Sequence, residues 1–281
     1  MKEAGNDTRF CREHAFAGNP LFRVSGILAP HKSRQLTALY AVFDMVQRIG
    51  RLVQEEGAAR VQLAWWRQEC LVDDPVCSAH PALRELHHDG SGRLDRPAFA
   101  RFVDQVELRL ERPAVTDVGA LQTLCTAQGR PLLELEAALW KGDGHLNGMD
   151  DGLAARRGLW ALLTDCFLSG DSPVAWWAPL DLLAREGLQR SEIFAPERAP
   201  QAARLFAEIL SDERFHSAST GDISDIKQPL EHIFLLDLLI GRKQRSLCRV
   251  APGAYARELP RVRVREFLAA WSLARRLSRR K

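Results

Sequence analysis

One long apolar segment, residues 29–57, constrains the fold of this chain more than any other feature. Pro30 suits the first turn of a helix, where its missing N–H is not needed, and Gly57 suits the left-handed position after a helix. Apolar side chains recur at three- and four-residue spacing and cover most of the surface: Leu36, Ala38, Leu39, Tyr40, Val42, Phe43, Met45, Val46, Ile49, Leu52 and Val53. The segment therefore predicts one helix of roughly 40 Å, buried on nearly every side by a surrounding bundle.

A polar stripe interrupts the apolar surface of this helix. Its members are spaced by threes, fours and sevens and so share one face: Thr37, Asp44, Gln47, Arg48, Arg51, Gln54 and Glu55. The stripe either meets water, with Asp44 and Arg48 an ordinary pair one turn apart, or lines an internal cavity that holds a ligand. The spacing by itself leaves both interpretations open.

The rest of the chain also carries helical patterns and no strand-like alternation. A short helix is expected within 7–28, and 58–71 predicts a helix with Val61, Trp65 and Cys70 on one side and the pair Trp65–Trp66 in the core. Asp117 should cap a helix that kinks or restarts at Gly129 and Pro131. Further helices are expected at 99–110, 153–168, 180–186, 197–210, 228–241 and 260–280. These patterns predict a single all-α domain over 1–281.

Composition restricts the compartment and the class of partner. A hydrophobic content of 46% is ample for a packed core, and the longest apolar run, 233–241, is too short to span a membrane and is interrupted by Asp237. The first ten residues lack the apolar region of a secretory signal, and the six cysteines contain no Cys-x-x-Cys pair. We therefore expect a soluble, cytoplasmic protein with reduced thiols, peripheral to the inner face of a membrane at most.

The basic residues are concentrated in the C-terminal tail. The chain carries a net charge of +3, whereas 257–281 contains nine basic and two acidic residues. The tail predicts a helix whose apolar residues face the core or lipid (Val264, Phe267, Leu268, Trp271 and Ala274), opposite Arg261, Arg265, Arg276, Arg279 and Arg280. The basic face is either simply solvated or makes weak contact with anionic lipid. A net charge this small does not indicate nucleic acid.

Two segments contain metal-ligating residue types without a metal-binding pattern. Cys77, His80, His87, His88 and Asp89 match no common zinc spacing. The segment 143–154 begins like a calcium loop, but Ala154 stands at the twelfth position, where a bidentate glutamate is needed. We predict no metal at either segment.

The segment 28–70 resembles the squalene and phytoene synthase family. The resemblance rests on Arg34, on the run Ala38–Phe43 and on Leu63–Arg67, and it continues more weakly through 80–86, 158–188 and the terminal AAWSLARR. The family implies a terpenoid-synthase fold, in which a single bundle of helices surrounds a central cavity. In its active members, two Asp-x-x-x-Asp motifs hold magnesium ions against a diphosphate.

The aspartate motifs are largely missing from this sequence. The resemblance places Gln47 and Arg51 at the first motif and Asp165 and Ser169 at the second, so one carboxylate remains where the reaction uses about four. These four positions are therefore expected to be vestigial, with no catalytic residue and no metal. The residues that could bind a ligand or phosphate are Arg34, Asp44, Arg48, Arg51 and Asp165, and Arg51 is expected to pair with Asp165.

The sequence is similar in these respects to a non-catalytic branch of the family, which includes a mitochondrial assembly factor for respiratory complex I. That similarity implies a protein that binds an isoprenoid, another lipid or a protein partner, without a cofactor. The alternative is an active head-to-head prenyltransferase that condenses prenyl diphosphates, with Mg²⁺ or with arginines bound directly to phosphate.

Overall fold

The described part of the chain consists of helices joined by short turns. The computed structural model describes residues 2–24, 33–53, 55–70, 80–87, 94–139, 151–168, 175–215 and 231–278, without the side chains of 2–5, 18, 33, 51, 52, 231 and 276–278. Its α-helices are α1 Lys2–Gly18, α2 Ser33–Leu52, α3 Glu56–Glu69, α4 Pro81–Leu86, α5 Arg96–Leu110, α6 Val118–Ala138, α7 Asp151–Phe167, α8 Leu180–Glu186, α9 Ala199–Ser211, α10 Glu231–Leu247, α11 Tyr255–Glu258 and α12 Val264–Ser278. Since these ranges contain no β-strand, the all-α prediction is confirmed.

Helix α2 crosses the interior, as its apolar surface predicts. Its apolar side chains from Leu36 to Ile49 are buried, apart from the half-buried Met45, and it packs against α1, α3, α4, α5 and α7. The predicted end of the helix was wrong. Gly57 lies in the first turn of α3 and does not terminate α2, so α2 is 20 residues long, about 30 Å. Pro30, the predicted start, lies outside the described residues.

Helix α3 turns a different face to the core from the one predicted. Ala59, Leu63 and Trp66 are buried, whereas Val61 and Trp65 are exposed. Residues 59, 63 and 66 are separated by four and three positions and so share one side of a helix, while residue 65 lies about 100° away from residue 66. Of the tryptophan pair, only Trp66 is a core residue.

Helices α6 and α7 cross with their backbones in direct contact. A Cβ atom added to Gly129 would lie 1.8 Å from the carbonyl oxygen of Ala154, and one added to Gly158 would lie 1.9 Å from the carbonyl oxygen of Cys125. Asp117 caps α6 as predicted by accepting a hydrogen bond from the Ala120 N–H. The expected restart does not occur, because α6 continues through Gly129 and Pro131.

The remaining helices complete one continuous hydrophobic core. Every helix from α1 to α12 contributes buried apolar side chains to a single cluster. Helix α8 has the predicted bounds, 180–186, and Gly187 ends it in the left-handed conformation. The five described cysteines, Cys11, Cys70, Cys125, Cys166 and Cys248, are free thiols. Among the described helices, none has both the length and the apolar character needed to cross a membrane.

Helix α12 does not turn its predicted apolar face to the core. Of the five apolar residues expected to face the core or lipid, Ala274 is buried in the core, whereas Val264, Phe267, Leu268 and Trp271 are exposed. The face against the core consists of Glu266, Ala270, Leu273 and Ala274. The small alanine side chains allow α12 to approach α10 closely on that side, and the larger side chains are left outside.

Candidate functional site

A cleft opens beside the middle of α2, where this helix faces α6 and α7. It encloses about 410 Å³ of empty space, its open mouth included. Apolar and aromatic walls combine with a few polar groups. The lining residues are Asn19, Tyr40, Phe43, Asp44, Gln47, Leu132, Glu136, Arg157, Trp160, Ala161 and Thr164. This combination of apolar walls with a few polar groups is typical of sites for small, largely apolar ligands.

A buried polar network forms the base of the cleft. Glu136 on α6 accepts hydrogen bonds from the Tyr40 hydroxyl at 2.5 Å and from Arg157 Nη2 at 2.9 Å. Arg157 Nη1 also donates to the Tyr40 hydroxyl at 3.2 Å, and His232 Nε2 lies 3.3 Å from Glu136 Oε2. Phe22 stacks on the Tyr40 ring with the ring centroids 4.0 Å apart. Four helices, α2, α6, α7 and α10, are thereby joined through one carboxylate.

The charges of this network follow from its contacts. Burial alone would raise the pKa of Glu136, but the charge of Arg157 and the hydrogen bond from His232 outweigh it, so the pKa lies below its usual value. Burial raises the pKa of Tyr40 well above its usual value, despite the nearby charge of Arg157. At neutral pH the network therefore contains an ionised Glu136, a charged Arg157 and a neutral tyrosine hydroxyl.

A second carboxylate in the cleft lining, Asp44, is buried and already bound by two partners. Arg48, one turn further along α2, donates from Nε to the Asp44 carboxylate at 2.9 Å. His14 on α1 places its Nδ1 3.0 Å from the other side of the same carboxylate. Elsewhere in the lining, the Trp160 indole N–H donates to the side-chain oxygen of Asn19 at 3.2 Å. These contacts join α2 to α1, and α7 to the turn that follows α1.

The structure brings together only part of the predicted set of site residues. Asp44 and Gln47 line the cleft, and Arg48 contacts it through Asp44. The central residues Asp44 and Gln47 of the predicted polar stripe therefore face the cleft, whereas Glu55 lies beyond the end of α2, at the start of α3, and is exposed to solvent. Gln54 lies outside the described residues.

The other predicted site residues are bound elsewhere or lie outside the described region. Arg34 is absent from the cleft lining and binds both oxygens of Glu85, at 2.5 and 2.8 Å. Asp165 lies 3.6 Å from Arg109 Nη1, which joins α7 to α5. The side chain of Arg51, the partner expected for Asp165, and all of Ser169 lie outside the described residues, as do Cys77, His88 and Asp89.

Sequence reasoning missed the residues at the base of the cleft. Glu136 and Arg157 were not selected, and Tyr40 was assigned only to the apolar surface of α2. A signal was present, because each charge interrupts an apolar helical segment: Glu136 lies between Leu132 and Leu139, and Arg157 lies in AARRGLWALL. A charged side chain with apolar neighbours at helical spacing indicates a buried partner of opposite sign.

Magnesium, the ion used by active members of the family that the sequence resembles, does not fit the described residues. Magnesium takes oxygen ligands from free carboxylates and from substrate phosphates in near-octahedral geometry. At the cleft, Asp44 is held by Arg48 and His14, and Glu136 is held by Arg157. No group of three or more His, Cys, Asp or Glu residues in the described ranges is arranged to hold a metal ion.

Comparison with known proteins extends the family resemblance, which is most specific in residues 28–70, to nearly the whole chain. The sequence matches the squalene/phytoene synthase family over residues 18–281. None of the curated proteins compared with the chain gives a significant match. The matched region contains α2 to α12 and every residue that lines the cleft. The chain therefore belongs to the squalene/phytoene synthase family.

Proposed function

We propose that this protein is a non-catalytic member of its family that binds an uncharged isoprenoid or another lipid in the cleft beside α2. The observation that carries the proposal is the pairing of each carboxylate near the cleft. Asp44 is bound by Arg48 and His14, Glu136 by Arg157, and Asp165 lies beside Arg109. A carboxylate could recruit a metal ion only after losing such a partner.

The charge balance of the cleft also argues against a diphosphate ligand. The Glu136–Arg157 and Asp44–Arg48 pairs are each neutral overall, and Gln47, the next polar residue at the wall, is uncharged. A diphosphate would add several negative charges with no free cation in the described lining to balance them. A neutral hydroxyl could instead donate a hydrogen bond to an amide such as Gln47 or accept one from it, and a carbonyl could accept one.

The apolar walls support a hydrocarbon chain as the rest of the ligand. Phe43, Leu132, Trp160 and Ala161 line the cleft, and burying a chain against them would remove apolar surface from water. The size of the cleft restricts that chain: part of the 410 Å³ is open solvent at the mouth, so the cleft would enclose only a short segment or one end of a longer chain. A role in assembling another protein is compatible with lipid binding, as the resemblance to the non-catalytic branch suggests.

Mass spectrometry of lipids that co-purify with the full chain tests the proposal. We expect a stoichiometric apolar ligand with the wild-type protein and much less with Ala161→Leu, because the larger side chain fills the cleft. Ala127→Leu is the matched control, since Ala127 is exposed on α6. Thermal melting of both variants shows whether each is folded. Equal amounts of ligand in the two folded variants would contradict binding in this cleft.

An activity assay distinguishes the alternative function. Purified protein is incubated with farnesyl or geranylgeranyl diphosphate, with and without Mg²⁺, and released pyrophosphate is measured. We expect no release above background in either case. Steady release that is lost in Asp165→Ala would overturn the non-catalytic proposal, and detection of a condensed product would then distinguish a head-to-head prenyltransferase from hydrolysis of the substrate.

A further inference from the structure

The exposed side of α12 carries a continuous apolar stripe, which we call the α12 apolar face: Val264, Phe267, Leu268 and Trp271. Spacings of three, four and seven residues place these side chains on one side of the helix. The helix cannot rotate to bury them, because its other side is already docked. Ala270 and Leu273 are buried there, and Glu266 lies 3.3 Å from the buried Lys243 on α10.

Positive charge surrounds the α12 apolar face. Arg261, Arg263 and Arg265 are exposed near the start of the helix, and Arg275 is exposed one turn beyond Trp271. The Arg275 guanidinium lies 4.6 Å from the centre of the Trp271 ring. Glu266 is buried, and Glu258 offsets part of the positive charge by contacting Arg261 at 3.3 Å and Arg263 at 3.1 Å. The exposed surface around the α12 apolar face therefore keeps an excess of positive charge.

From this arrangement we infer that α12 docks on an anionic lipid bilayer with its axis in the plane of the membrane. The apolar side chains would enter the boundary between headgroups and acyl chains, and the arginines at both ends would meet lipid phosphates. Tryptophan suits this depth, because its ring is apolar and its N–H is polar. A second copy of the chain is a poorer occupant, since pairing two such faces would bring arginines against arginines.

Membrane docking goes beyond ligand binding in the cleft and does not depend on it. The docking face is separate from the cleft, because none of the residues that line the cleft belongs to α12. A loss of membrane docking would therefore leave ligand binding in the cleft intact, and a loss of ligand binding would leave membrane docking intact.

Vesicle co-sedimentation with the full chain tests this inference. The vesicles are pure phosphatidylcholine or phosphatidylcholine with about 30% phosphatidylglycerol, at low and high salt. The test variant is Val264→Ser/Trp271→Ser. The matched control is Val61→Ser/Trp65→Ser on α3, because the exposed fractions of the two pairs are nearly equal, 74% and 41% against 70% and 40%.

We expect the wild type and the control to bind the anionic vesicles, with binding reduced by salt, and the test variant to partition about tenfold less. Equal binding to neutral vesicles, or an equal loss in both variants, would overturn the inference. Absence of vesicle binding would overturn it as well, and light scattering would then show whether the face instead joins two copies of the chain.

Discussion

Replacing Gly158 by alanine should push α6 and α7 apart at the point where they cross. The added Cβ atom would lie 1.9 Å from the Cys125 carbonyl oxygen and 2.6 Å from the carbonyl carbon. Both atoms belong to the backbone of α6, so no side chain can rotate away to make room. Ordinary contact begins near 3.4 Å, so the helices must separate by about 1.5 Å along this direction.

The free-energy cost follows from that separation. A gap of about 0.5–1 Å already removes a quarter to a half of the dispersion attraction between facing atoms. We therefore place the cost at the upper end of the range for overpacked interiors, about 3 kcal/mol. Alanine recovers about 1 kcal/mol through its higher helix propensity. The net loss of about 2 kcal/mol corresponds to a fall in Tm of about 5 °C for a chain of this size.

Thermal and urea unfolding of three variants measures this effect. Gly158→Ala is compared with Gly57→Ala in the first turn of α3, where an added Cβ would meet nothing within 4 Å. The Gly57→Ala substitution should be neutral or stabilise the fold by up to about 1 kcal/mol. Gly129→Ala should cost about as much as Gly158→Ala, because its Cβ would lie 1.8 Å from a backbone oxygen of α7. The double variant should cost less than the sum, since one separation of the helices relieves both contacts.

The same separation should reach the base of the cleft. Arg157 precedes Gly158, and its 2.9 Å hydrogen bond to Glu136 crosses between the two helices. A displacement of about 1.5 Å takes this contact beyond hydrogen-bonding distance. The reasoning is refuted if Gly158→Ala melts at or above the temperature of Gly57→Ala, or if the two glycine substitutions on α6 and α7 are fully additive.

Three further predictions concern single side chains. In urea unfolding, Glu136→Gln should destabilise the fold by about 3–5 kcal/mol, because it leaves the buried Arg157 without a counter-charge. The control Glu134→Gln, two residues away and paired nearer the surface, should cost at most about 1 kcal/mol. Burial, and next the charge of His14, lower the pKa of His80 from 6.5 to about 4, so the unfolded state binds a proton that the native state does not. The free energy of unfolding should therefore decrease by about 1 kcal/mol between pH 6.5 and pH 5.5, as measured by urea unfolding at the two pH values. His80→Asn keeps a helix-capping side chain and should show a smaller decrease. Asp165→Ala should lower Tm by several degrees, because it removes a carboxylate from beside a buried arginine; an unchanged melting curve would contradict the pairing.

Periodicity predicted the helices well and the ends of helices less well. The apolar spacing of α2 specifies a buried helix whatever surrounds it, whereas Gly57 is equally compatible with a helix end and with a first turn. Pro131 was expected to break α6, but its missing N–H is accommodated within a helix that is buried on that side. The face of α3 that packs on the core was assigned wrongly, because both sides of that helix carry apolar residues and only the neighbouring helices determine which side is covered.

The cleft was harder to predict than the fold because its residues come from distant parts of the chain. Asp44 and Gln47 could be selected from α2 alone. Their partners could not, since His14 lies 30 positions before Asp44, and Glu136 lies 96 positions after Tyr40. A family resemblance does not supply such pairs when the residues that normally define the site have been replaced.

The buried network around Glu136 affects how well the cleft lining tolerates amino-acid substitutions. Leucine- and alanine-rich helices pack almost equally well after sliding by one turn, about 5.4 Å, because similar side chains recur at that interval. A slip of that size would separate Glu136 from Arg157, Tyr40 and His232 together, so these polar residues fix the register of four helices. Because this polar network sets the register of the helices, the apolar residues of the cleft lining are not needed to maintain it. We expect Leu132, Ala161 and Phe43 to tolerate substitutions that reshape the cleft for a different ligand, which makes this fold a suitable scaffold for redesign.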